Sequence, residues 1–176
     1  MRSFLLAVAI GLAGAGLVHI AVIFLIPRAA PASAWSRIYE ITEPFEARRL
    51  DEADIIYDAD PLFAIAACRF DLTKGPLKLS AQGNVPFWSV ALINPGGQTV
   101  WSINDRNGTE ENLDLMVVNR LQEIEIRREM PPELASTVLA LSSNDEGIAV
   151  IRIFRPDETY DPVSDAFIDS IRCEPF

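Results

Sequence analysis

Residues 77–103 read LKLSAQGNVPFWSVALINPGGQTVWSI, and this stretch decides the fold class. Leu77, Leu79 and Ala81 alternate with Lys78, Ser80 and Gln82, so an extended chain turns one set to each face and makes a half-buried strand. A second strand is expected over Phe87 to Ile93 and a third over Gln98 to Ile103. Between them Asn94-Pro95-Gly96-Gly97 brings together a self-capping amide, a fixed φ and two residues without a β-carbon, which is turn chemistry. Two alternating runs across a short turn predict a hairpin, and with it an antiparallel sheet.

Outward from this centre the pattern is mixed. Trp35, Ile38, Ile41, Phe45 and Leu50 recur at helical spacing, but Pro44 interrupts them, so any helix there is short. Asp60-Pro61 places a side-chain acceptor before a proline suited to a first helical turn, predicting a helix through Cys68; Phe63 and Ile65 alternate as a strand would. Leu113 to Val118 predicts a strand. Asn119 with Gln122 then has the form of a capping box, opening a helix to about Met130 that Pro131-Pro132 stops. Val138 to Leu141 and Ile148 to Phe154 predict a second hairpin around Asp145-Glu146-Gly147. Asp161-Pro162 repeats the cap-plus-proline device, and Val163, Phe167, Ile168 and Ile171 form one apolar stripe of a helix reaching Cys173. The sum is an α+β domain: an antiparallel sheet, or a sandwich-like pair, with a few short helices.

Ahead of this domain lies a different kind of sequence. Phe4 to Ile26 holds no formal charge, and at 1.5 Å per residue it spans about 34 Å as a helix, enough for a hydrocarbon core of about 30 Å. The expected organisation is an anchor over 1–27 ended by Pro27, a linker over 28–36, and an exported domain over 37–176. Ala32-Ser33-Ala34 has the small-x-small form of a signal-peptidase site, so a cleaved leader competes with the anchor; the apolar run is longer than the 7 to 15 residues usual for a leader. Both readings export the domain. Arg2 on one flank is matched by Arg28 and Arg37 on the other, so orientation rests on the signal-like form. Ala7, Gly11, Ala15 and His19 share one helix face, where small residues let two backbones approach and form a homodimer; Ala and Gly are also common in such spans for no such reason.

Charge limits the partners. All 25 acidic residues lie after residue 35, and with Arg2 and Arg28 set aside the domain has 13 basic residues, a net charge of −12. Such a field repels phosphate backbones and anionic lipid, so nucleic acid is not an expected partner and membrane lipid should be met through residues 4–26 alone.

Few residues invite chemistry. Cys68 and Cys173 are the only cysteines, and in an exported domain they are expected to form a disulfide closing a long loop, with two separate buried thiols as the alternative. Trp88, Trp101, Asn104, Asp105 and Arg106 cluster around the central hairpin and its exit, where indole faces beside amide, carboxylate and guanidinium groups could hold a sugar or other polar ligand; a tryptophan in a strand is more often core, and Asp105 with Arg106 more often a turn ion pair. Asp105, Asn107, Gly108, Thr109, Glu110, Glu111 and Asp114 make an oxygen-rich loop without the order of a calcium motif, so no metal is expected there. Asp51-Glu52 and Asp145-Glu146 read as solvated turn charges. His19 is the only histidine, which removes Ser-His-Asp and Cys-His catalysis from the domain, and a zinc site is not expected there. No glycine-rich phosphate loop occurs, so no cofactor is expected.

The segments Asp60-Pro61-Leu62-Phe63, Cys68-Arg69-Phe70-Asp71-Leu72, Val85-Pro86-Phe87-Trp88-Ser89-Val90 and Ser102-Ile103-Asn104-Asp105-Arg106 resemble the small, membrane-anchored bacterial proteins of the domain of unknown function 1254 family. The likeness covers most of the chain, and its motifs are structural. It implies an envelope protein with a β-rich domain and no assigned activity. The function expected from all of this is a module tethered at the bacterial inner membrane, its domain in the periplasm, binding an envelope protein partner or a small polar ligand. The alternative is an envelope hydrolase using a pair of carboxylates, which needs two carboxyl groups about 5 to 10 Å apart in one cleft.

Overall fold

The structure, a computed structural model, describes residues 1–29, 34–50, 60–107 and 112–176. The chain divides into two compact units, Met1–Ser33 and Ala34–Phe176. The first is a single helix, α1 (Arg2–Ala29), long and apolar enough over Arg2–Ile26 to cross a membrane. Its side chains are uncovered: Phe4, Leu12 and Leu17 are each about 70 % exposed. The helix runs two residues past Pro27, where the sequence reading ended it. Proline's fixed φ is helical, and its missing amide removes one hydrogen bond without turning the chain. Ala7, Gly11, Ala15 and His19 are all exposed on it.

The second unit is α+β. Helix α2 (Ala34–Ile41) begins inside the stretch expected to be linker, because Trp35, Ile38 and Ile41 have an apolar surface to cover. The strands are β1 (Ala47–Arg49), β2 (Phe63–Asp71), β3 (Leu77–Ala81), β4 (Trp88–Ile93), β5 (Thr99–Asn104), β6 (Leu113–Val118), β7 (Val138–Leu141), β8 (Glu146–Phe154) and β9 (Arg172–Pro175). Helices α3 (Arg120–Arg128) and α4 (Asp161–Ser170) complete it. Two sheets result, β1-β2-β8-β4-β5 and β7-β6-β3-β9. Their inner faces share one core that includes Phe70, Leu79, Trp88, Val90, Leu115 and Ile151, with Phe167 and Ile168 of α4 packed into it. Helix α2 covers the outer face of the first sheet, where Ile38 meets Leu50, Ile65 and Ala67. Met116 and Val118 on the outer face of the second sheet meet Leu134 and Ile126.

The central prediction holds: β3 alternates buried and half-buried, and β4 and β5 pair antiparallel across the Asn94–Gly97 turn. Three expectations are corrected. The segment from Asp60 to Cys68 is a tight turn and then strand, since Asp60 caps the Leu62 amide and Phe63 onward pairs with β8 over nine residues. Ala64 to Cys68 are buried on both faces, so the alternation that marks a strand is missing. The second hairpin does not form. β7 instead runs parallel to β6, reached through α3, and β8 lies in the other sheet between β2 and β4. Finally the last helix ends at Ser170 and Cys173 sits on β9; Tyr160 occupies the cap position, while Asp161 lies in the first turn and pairs with Arg155.

Candidate functional site

Cys68 and Cys173 form a disulfide across 105 residues, with Cα atoms 6.3 Å apart. It joins β2 of one sheet to β9 of the other, not a terminal helix as its position after the apolar stripe suggested. Both sulfurs belong to buried residues, so the bond is a structural clamp rather than a reactive pair.

Beside this clamp, among the described residues, the sandwich leaves a groove. β1 is the terminal strand of the first sheet and β9 of the second, and between them lies a groove of about 300 Å³. Ala47, Arg48 and Arg49 form one wall; Asp169 and Arg172, at the junction of α4 and β9, form the other; Ala66, Ile168 and Ile171 give it an apolar floor. Ala47 lies opposite Cys68 in the ladder, and Arg172 precedes Cys173, so the bridge fixes both walls. Arg49 pairs with Asp165 on α4 at 2.8 Å. Arg172 donates through one terminal nitrogen, Nη1, to the carbonyls of Asp169 and Ile171, at 2.8 and 2.9 Å. The mixture of apolar floor and a few charged groups suits binding. Asp169 is the one acid among its lining residues, so this groove does not by itself supply the two carboxylates of the hydrolase alternative. The sequence reading missed this groove, because its members come from three separated segments, 47–49, 66 and 168–172, and no spacing connects them.

The residues singled out in the sequence lie elsewhere. Trp88 is 2 % exposed and belongs to the main core, so its ring is unavailable to a ligand; the stacking platform is corrected to a packing element. Trp101 packs against the same core and pairs with Leu92, near the opposite end of the hairpin from Asn104. Asn104, Asp105 and Arg106 form the turn after β5: the Asp105 amide donates to the Trp88 carbonyl and the Arg106 amide to Asn104 Oδ1. No ion pair joins Asp105 to Arg106 among the described residues. The five do not form one surface. Gly108 to Glu111 and Asp51-Glu52 lie outside the described residues. Among those described, no group of His, Cys, Asp and Glu side chains could hold a metal ion.

One further polar cluster is built into the second sheet. Lys78 Nζ donates to Asp114 and, at 2.7 Å, to Thr137 Oγ1, whose hydroxyl donates to Asp114 Oδ2 at 3.0 Å. These bonds stitch together β3, β6 and the start of β7.

No family model matches the chain, and no curated protein matches it. Solved structures do. The VPA0106 protein from Vibrio parahaemolyticus is similar over 81 % of this chain and 34 % of its own, with a TM-score of 0.58 and 11 % identity. An uncharacterised protein from Burkholderia cenocepacia is similar over 73 % of this chain and 34 % of its own, with a TM-score of 0.49 and 13 % identity. The chain thus spans about a third of the length of these structures, and the first likeness is one of fold.

Proposed function

We propose that this chain is a membrane-anchored module of the bacterial envelope, held in the inner membrane by α1, with its domain in the periplasm binding a protein partner or small polar ligand through the β1–β9 groove. The observation that carries this reading is α1 itself: a 28-residue helix whose apolar side chains over Arg2–Ile26 are uncovered. Leaving such a surface in water would cost about 25 cal/mol for each Å² of it, which only lipid or a large partner surface offsets. The disulfide agrees with an oxidising compartment, because cytosolic reductants keep such pairs open. Membership of the domain of unknown function 1254 family and self-association through Ala7, Gly11, Ala15 and His19 belong to the same proposal.

The direct test fuses reporters after Phe176 in a bacterial host. A phosphatase that needs disulfides should be active there and a fluorescent protein that folds in the cytosol should be dark, with the fusion in the membrane fraction. The opposite pair of signals would end the proposal.

A further inference from the structure

The first wall of the groove is a strand edge, and this determines what fits it. Ala47, Arg48 and Arg49 are consecutive, yet all three border the groove. Side chains alternate along a strand, so what the three share on that side is main chain. The ladder shows which groups are turned outward. Leu50 N–H donates to the Ile65 carbonyl, and β1 continues in register with Arg48 opposite Ala67. Hydrogen-bonded and non-bonded pairs alternate in an antiparallel ladder, which makes Arg48 the bonded residue and turns the N–H and C=O of Ala47 away from β2.

The facing wall supplies charge. Arg172 spends Nη1 on two carbonyls, and its remaining N–H groups meet no acceptor among the described residues. A guanidinium in that condition matches a carboxylate in geometry and sign. Asp169 stands on the same wall and disfavours a second acid beside the first. A volume of about 300 Å³ limits the occupant to a few residues.

We propose that the groove docks a short, extended, acid-bearing segment of a partner protein by strand addition to β1, with the segment's carboxylate on Arg172. This rests on the domain's being a binding module and is independent of its compartment.

The test uses the full-length, oxidised chain in detergent micelles. Displayed random seven-residue peptides are selected on it, and the best is synthesised and titrated by fluorescence anisotropy. The enriched sequences should alternate in polarity and carry Asp or Glu. Ala47→Pro deletes an outward amide while leaving the β1–β2 ladder its bonds, a position where an edge strand accepts proline. It should weaken binding about tenfold, whereas Ala47→Ser, which keeps the amide, should not. Arg172→Gln should weaken it at least as much. Copies of the peptide N-methylated at alternate residues probe the same main-chain bonds without touching the protein, and serve if Ala47→Pro disturbs β1. Failure to enrich any acid-bearing peptide, or affinity that survives Arg172→Gln or N-methylation at every position, would overturn the proposal. Reporter activity in the cytosol together with peptide binding would remove the envelope reading alone.

Discussion

Gly147 shows how much one missing methyl group can decide. It sits opposite Phe70 in the β2–β8 ladder, and a β-carbon built on it would lie 2.1 Å from the Phe70 Cζ atom. The ring therefore rests on the glycine backbone inside the core. Gly147→Ala should destabilise the domain by about 1 to 3 kcal/mol, the range for overpacked cores, read as a lower urea midpoint with unchanged slope; Phe70→Leu in the same chain should recover part of the loss. The sequence could be read here only as far as the glycine. Asp145-Glu146-Gly147 looks like turn material because the partner that requires the glycine is 77 positions away. Two carboxylates add a pH dependence. Asp71 is lowered from its ordinary value chiefly by the Thr73 hydroxyl, with Lys74 helping against partial burial, and Asp157 by the hydroxyl and amide of Thr159. Depressed folded-state values mean that these bonds contribute fully above the unfolded aspartate value of about 3.9 and are lost as pH falls through the lower folded values. Asp71→Asn should therefore reduce the loss of stability below about pH 4 and leave its shape near neutrality unchanged.

Among the elements, those marked by local chemistry were legible and those set by distant partners were not. β3, the β4–β5 hairpin and β6 follow from alternation and turn residues that lie within a few positions of one another. Helix α3 opens as its sequence requires: Asn119 Oδ1 accepts from the Leu121 and Gln122 amides, and Gln122 returns the bond to the Asn119 amide. Asn119→Ala should cost about 1 to 2 kcal/mol, measured by thermal unfolding, and the loss should fall on the β6–α3–β7 connection first in amide exchange. For β2 the Asp60-Pro61 device favours a helix and the Phe63–Ile65 alternation leaves a strand open; the strand forms, and because both its faces are covered, by the shared core and by α2, its alanines carry no period. β8 was joined to β7 because both alternate and a turn signal lies between them, whereas the Ser142 amide, bonded to Val118, carries β7 along β6 and the chain then crosses to the other sheet. The cysteine pair could be named from count and compartment, but that it clamps β2 of one sheet to the edge strand β9 of the other depends on β9, which the proline-led helix pattern concealed. Cys173→Ser should remove about 4 to 5 kcal/mol in the chain-entropy account of a loop this long, seen as a lower unfolding midpoint that added reductant no longer changes.

For the whole molecule the uneven distribution of charge and apolarity governs the account. The N-terminal unit is an apolar helix without acidic residues, and the remainder of the chain carries a net charge of −12. Those two facts were open to inspection in the sequence, whereas the groove was not: a strand edge, a helix end and a disulfide create it only after two sheets have stacked. Anchoring outside the cytosol is the claim on which the oxidised clamp and the docking groove's setting both depend. Thr99→Cys supplies the measurement, since Thr99 is exposed on β5 and both native cysteines are bridged. On intact spheroplasts the variant should react with a membrane-impermeant maleimide and stay with the membrane through alkaline carbonate washing. Labelling that appears only after lysis, or release into the wash, would contradict the account.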